Sequence, residues 1–449
     1  MIIYVYTALI ILYIVSKFIS VPVLTFSIGI LAMIALAISL FRATGLYLIS
    51  GICFFTGGVF LFIYNGLPWY TFFLHFESML GVLSLFLVLP FINSLIRVGR
   101  YDKNLSMLLQ QGVTHLSKLY RRSSLVCHFL GLFLNIATLP LLINSLNRTL
   151  NQFPKKVSEK FYAQNLLRAY ALCLTWSPME VMVSTSIDIT KSSYFHVFPI
   201  MLSLAIIIII SDWILSAFKH KNTPLIIEEK TEVSLKGIYK KIREMLVLLI
   251  IFILLVSLSQ HILNKGFLFS VVLVLIPISI AWAMFIGKMD RYFLITIPHW
   301  KERTKGLSNY FFMFLSAGLF VEMLSLSGHL TFLQSAFGSV TEKTLLLYLM
   351  IGAYFLFTSL VGFHPLVSIT LLAELLNPIL PEISSISLTI VLISCSLSTV
   401  MYSPYNLSVS ILADQLKINS YKMGMWNISF AACYMLVSIL IAYLIKLIS

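Results

Sequence analysis

The chain has 449 residues, 59% of them hydrophobic and 11% charged, with a mean hydropathy of +0.97. Soluble domains carry about 25% charged residues, so this composition excludes a water-soluble globular fold. The net charge of +14 does not point to nucleic acid, because Lys and Arg sit in short connectors between apolar runs, where cytoplasmic loops are basic.

In chain order, apolar runs long enough to cross the hydrocarbon core as helices fall at 2–19, 21–41, 46–64, 78–96, 166–187, 194–218, 245–260, 267–286, 309–326, 385–414 and 424–444. These predict about 11 transmembrane helices. No basic region precedes the first run, so it reads as a span and not as a cleaved signal peptide. Two further apolar stretches, 123–150 and 345–376, read as re-entrant hairpins that enter and leave on one side. Cys53, Cys127, Cys173, Cys395 and Cys433 lie inside apolar segments, odd in number and without CxxC spacing. They read as packing residues, with no disulfide, metal or cofactor implied.

Charge orients these elements. With the N-terminus inside and the C-terminus outside, the cytoplasmic face collects Arg42, the basic residues of 97–122, 148–168, 219–243 and 288–305, Lys417 and Lys422. The outer face keeps Lys17, Lys191, Lys265, Lys343 and Lys446. That asymmetry favours this topology in the cell membrane. It also supports the first hairpin, whose two ends carry Arg121-Arg122 and Arg148, Lys155 and Lys156.

An internal repeat is the most informative feature. Trp176-Ser177-Pro178 is echoed by Tyr402-Ser403-Pro404 at an offset of 226 residues, and the register continues through Val183-Ser184 with Val409-Ser410, Asp188 with Asp414 and Lys191 with Lys417. Shifted by one residue, Leu139-Pro140-Leu141 lies opposite His364-Pro365-Leu366. An odd number of spans separates the copies, so they are expected to be inverted, an architecture used for alternating access. The predicted organisation is an all-α polytopic membrane protein: N-terminal spans 1–77, repeat 1 over 78–218 with a cytoplasmic-side hairpin, basic loops and two linking spans over 219–308, and repeat 2 over 309–449 with an outer-side hairpin. Proline in mid-span deletes a helical hydrogen bond and frees carbonyls, which lipid tolerates only where protein, water or a ligand receives them.

The run from Leu132 to Leu141, LFLNIATLPL, resembles the hairpin signature of the ion transporter superfamily, which includes divalent-anion/sodium symporters, citrate and arsenite permeases and some sodium/proton antiporters. Ser403-Pro404-Tyr405-Asn406-Leu407 resembles the broken-helix segment of those permeases. The resemblance departs at Gly362-Phe363-His364-Pro365, where an Asn-containing tip is expected, and at Glu180, which stands where the second copy has Asn406. It implies convergence of both hairpin tips and both helix breaks. Asn135 and Thr138 would serve from one tip, Ser359 and His364 from the other, and Thr175, Ser177, Ser403 and Asn406 from the breaks. The resemblance alone implies a homodimer.

Glu180 is the sharpest residue, because a carboxylate two positions past a break must be protonated, paired or ion-bound. Glu322, in mid-span, is the candidate for coupling on the same ground. Asp188, Asp414, Lys191 and Lys417 read as caps and interfacial anchors, while Glu77, Asp212 and Glu374 read as boundary residues. The sequence carries no GxxxxGK[ST] motif, so ion-coupled secondary transport of a small anionic solute is the leading expectation, with Na+ or H+ as coupling ion and no enzymatic activity. A cation/proton or metalloid antiporter is the alternative. A membrane enzyme or flippase for lipid-linked glycans is the alternative of another class, and it would need a larger basic external loop than this sequence provides.

Overall fold

The computed structural model describes residues 1–109, 113–220, 223–225 and 235–448. Lipid offers no partner for backbone N–H and C=O groups, so each span must satisfy its own, and the described residues form helices joined by turns and short connections, with one isolated bridge between His115 and Pro224. The helices in order are α1 (Ile2–Ser16), α2 (Pro22–Leu40), α3 (Gly45–Tyr64), α4 (Leu80–Val98), α5 (Tyr101–Ser106), α6 (Leu116–Leu134), α7 (Thr138–Leu150) and α8 (Lys155–Phe161). Next come α9 (Leu167–Leu174), α10 (Val181–Thr190), α11 (Tyr194–Lys219), α12 (Leu235–Leu263), α13 (Phe267–Phe285), α14 (Met289–Lys305), α15 (Ser308–Leu326) and α16 (Thr331–Gly338). The last six are α17 (Thr344–Val361), α18 (Pro365–Leu376), α19 (Ser385–Tyr402), α20 (Leu407–Leu416), α21 (Ser420–Met425) and α22 (Ile428–Ile448).

Among the described residues, 11 helical stretches are long and apolar enough to cross a membrane, and the protein is a multi-pass membrane protein. The total agrees with the sequence expectation although its members differ. At 15 residues α1 is too short to count, and the 166–187 run is split into α9 and α10. The stretch Leu116–Leu150 and helix α17 qualify instead. The first nevertheless contains a break and the second ends at one. α6 stops at Asn135 (φ 49°) and α17 at Gly362 (φ 111°), and in the second case the Tyr354 hydroxyl reaches back across the turn to donate to the Ser368 carbonyl at 2.9 Å.

The chain divides into two compact units. One comprises Met1–Leu95, Leu258–Ser339 and Thr370–Ile379, the other Ile96–Ser257, Val340–Ile369 and Leu380–Ser449. In the first unit α15 packs on α2 and α3. Tyr6 stacks on Phe311 with ring centroids 3.8 Å apart, and its hydroxyl bonds Ser39 and Ser308, so the buried polar end of the ring is satisfied. In the second unit α19 is the central element, buried along its whole length from Ser387 to Tyr402 and contacted by α9, α10, α17 and α22. Its five serines and two threonines lie among apolar neighbours, and several return their hydroxyl protons to carbonyls one turn back, as polar groups in hydrocarbon must. Cys127, Cys173 and Cys395 pack in the core of this unit, whereas Cys53 and Cys433 are exposed on helix faces, so only three of the five act as the packing residues the sequence suggested.

The sequence repeat has a backbone counterpart. α10 and α20 are each 10 residues long and begin and end at the 226-residue offset, and each closes on a left-handed lysine, Lys191 at φ 55° and Lys417 at φ 54°. α4 and α15 are each 19 residues, with a left-handed residue two positions beyond each end, Arg100 and Gly328. At the hairpins the register differs from the proline alignment. Pro365 is the first residue of α18 while Pro140 is the third of α7, and the backbone equivalent of Asn135 is Gly362. Proline fits anywhere in a first helical turn, where no intrahelical N–H is lost, so it does not fix register there.

Candidate functional site

Nine of the ten residues singled out in the sequence lie in the second unit, and all nine lie at the two helix breaks or beside the two hairpin turns. At the first break α9 gives way after Leu174, Thr175 bonds the Leu172 carbonyl, and a short turn closes from the Glu180 N–H to the Ser177 carbonyl at 3.2 Å. Glu180 then stands at the N-cap position of α10, but its side chain makes no cap hydrogen bond to that helix. At the second break the Asn406 N–H closes the same turn onto the Ser403 carbonyl at 3.1 Å. Asn406 Oδ1 accepts from the backbone N–H of Ser408, capping α20.

Each hairpin is tied to a break. The Asn135 side chain lies at the turn between α6 and α7: its Oδ1 accepts from the Tyr170 hydroxyl at 2.5 Å, and its Nδ2 faces Glu180 Oε2 at 3.5 Å. Opposite numbers hold the second hairpin, where Ser403 Oγ donates to the Ser359 carbonyl at 2.8 Å and Ser359 Oγ donates to the Tyr402 hydroxyl at 3.0 Å. His364 Nδ1 accepts from the Leu366 N–H at 3.2 Å, so this imidazole caps the start of α18. Ser177 Oγ accepts a long bond from the Met179 N–H. Thr138 opens α7 fully buried, and its hydroxyl has no hydrogen-bond partner among the described residues.

The two halves of this arrangement share neighbours. α9 and α10 both pack on α19, and α7, which follows the first hairpin turn, packs on α20, which follows the second break. Asn135 is thus brought to Glu180, and Ser359 to Ser403. Glu322 is not part of this cluster, since it belongs to the first unit and pairs with His75 Nδ1 at 2.6 Å.

Several residues of the same region were not among the candidates the sequence offered for the site. Tyr170 holds the Asn135 amide. The Trp176 indole donates to His128 Nε2 at 3.0 Å, and the Tyr194 hydroxyl donates to the Trp176 carbonyl freed at the break. Arg168, counted with the loop charges, instead donates to Asp212 Oδ1 at 2.6 Å and to Asn427 Oδ1 at 2.9 Å. Asp212 also accepts from Tyr120, and Asn427 Nδ2 donates to the carbonyls of Ala163 and Met401. A π-helical turn over Tyr162–Leu166 presents the Ala163 carbonyl to that amide. Such turns expose carbonyls that a regular helix would use itself. This network braces α9 and the end of α19 just before both breaks. A polar residue inside an apolar run, near one end of it, was the available clue for Asp212 and Asn427.

Neither a family model nor a curated protein sequence matches the chain. It is similar to a solved structure, the YdaH transporter of Alcanivorax borkumensis, described as having an unusual topology. The match is at 12% identity with a TM-score of 0.58, covering 89% of this chain and 98% of that one. That likeness establishes a shared fold across nearly the whole length of both proteins.

Proposed function

We propose that this protein is an ion-coupled secondary active transporter of a small anionic solute, related to the ion transporter superfamily. The second unit would carry the solute in an elevator or alternating-access cycle. The observation that carries this reading is the repeated break: two ten-residue half-helices, preceded by Glu180 and Asn406 after equivalent turns, each with a hairpin held to its break by side-chain bonds. Broken helices and irregular backbone at membrane depth line a site or a water-filled path in transporters. A solved structure with this fold is a transporter, which adds support by analogy.

On this reading the solute site comprises Asn135, Thr138, Thr175, Ser177, Glu180, Ser359, His364, Ser403 and Asn406. The amide and hydroxyl groups would receive the solute, and freed carbonyls with Glu180 would receive Na+ or H+. The protein would lie in the cell membrane with its N-terminus inside, its repeats inverted, and work as a homodimer. One observation favours the antiporter alternative: one break offers a carboxylate and the other an amide, an asymmetry suited to a single exchanged cation.

Purified protein in proteoliposomes, supplied with labelled small carboxylates and oxyanions under a Na+ or H+ gradient, tests the proposal. Gradient-dependent accumulation above empty vesicles is expected. Under anion symport, Glu180→Gln changes ion dependence while solute still stabilises the protein thermally; under cation exchange, the variant loses transport outright. Accumulation no greater than in empty vesicles for every solute and gradient would remove the proposal.

A further inference from the structure

The first unit carries a cavity of about 450 Å3 lined by Met1, Ile2, Ile38, Phe41, Arg42 and Lys305. Its side chains are two-sided, four apolar and two cationic, with no acidic side chain among the lining residues. Neither Arg42 nor Lys305 forms an ion pair among the described residues. Phe41, at the end of α2, is 86% exposed, an arrangement that exposed aromatic rings tolerate where they sit against lipid.

Lys305 is the last residue of α14, and that helix has its own character. Leu294 and Ile297 are exposed on it, at 76% and 44%, and the same helical spacing continues into Lys301 and Lys305. A helix with an exposed apolar strip running into basic residues lies along a bilayer surface. The charge count that sets the topology puts both Arg42 and Lys305 on the cytoplasmic face, where anionic lipids concentrate.

We infer that this cavity binds the phosphate of an anionic phospholipid, held between the Arg42 guanidinium and the Lys305 ammonium, with the upper acyl chain against Ile38 and Phe41. Arg binds phosphate through a planar fork of donors and Lys as a point charge. The apolar wall selects a lipid over free phosphate, because a free anion would leave that surface uncompensated. The inference uses residues of the first unit and the inside-positive topology but not the proposed transport site, so the two can fail separately.

The test is native mass spectrometry of the whole protein released from mixed micelles containing equal phosphatidylglycerol and phosphatidylcholine. Wild type is expected to retain phosphatidylglycerol about 30-fold more than phosphatidylcholine, the preference two interfacial cations supply. The double variant Arg42→Gln/Lys305→Gln is expected to fall to near parity, and each single variant to an intermediate ratio. Melting in the same detergent identifies any variant that misfolds, in which case Lys305→Glu alone supplies the comparison. Equal retention of both lipids by wild type, an unchanged preference in the variants, or complete displacement of the lipid by excess inorganic phosphate would each overturn the inference.

Discussion

Glu180 and Asn406 occupy the same point of the two repeats: each follows a Ser-Pro turn closed by its own N–H, and each precedes a helix of 10 residues ending in a left-handed lysine. One side chain is an acid and the other an amide, so the shared backbone carries different chemistry. Glu180→Gln keeps the shape and removes the charge. We expect it to fold with unchanged melting and to lose at least about tenfold in gradient-driven accumulation, equivalent to about 1.4 kcal/mol, as read in proteoliposome uptake.

Asn135 separates a structural from a functional requirement. Its backbone at φ 49° and ψ −135° lies in a region that costs a non-glycine residue about 1–3 kcal/mol, while its side chain joins Tyr170 and Glu180. Asn135→Gly should therefore melt no lower than Asn135→Ala and yet transport as poorly. Uptake by the glycine variant equal to wild type would show that the side chain serves only the turn.

Gly362, the equivalent position in the second hairpin, has φ 111°. An added Cβ would meet only the Tyr405 ring at 3.5 Å, an ordinary contact, so the cost of Gly362→Ala is conformational. A destabilisation of about 1–2 kcal/mol is expected, measured as lowered melting in detergent. Gly424→Ala should be worse, because its Cβ would fall 2.0 Å from the Tyr402 carbonyl oxygen, and either α21 or the second break must move.

The Arg168–Asp212 pair is nearly buried, with side-chain exposures of 13% and 6%. Removing one partner leaves a lone charge away from water, so Arg168→Met and Asp212→Leu should each destabilise by about 3–5 kcal/mol. The double variant should recover part of that loss. Melting temperatures of the four proteins form the cycle, and strictly additive effects would argue against the coupling.

How far the molecule could be read from its residues depended on what each signal measures. Hydropathy reports which segments prefer lipid, and it found the helical, many-span architecture. The Ser-Pro echo reports a backbone event with a fixed mechanical consequence, which is why the ends of α10 and α20 obey the sequence offset residue for residue. Charge counting, by contrast, assigns a side and not a partner. It therefore placed Arg168 among loop residues and could not see Asp212, 44 positions away. Proline position misled at the hairpins for a related reason, since any site in a first helical turn accepts it. The apolar run around Glu322 marks it as a candidate for coupling but does not show its neighbour in space, His75.

On the proposed reading, the two breaks and their hairpins belong to repeats facing opposite sides of the membrane. With Cys53 and Cys433 replaced by alanine, single cysteines at Gln152, after the first hairpin, and Thr341, before the second, should react with an impermeant maleimide from opposite faces: Gln152→Cys only in inside-out vesicles and Thr341→Cys only in intact cells. Labelling of both positions from the same face would show that the two repeats are not inverted.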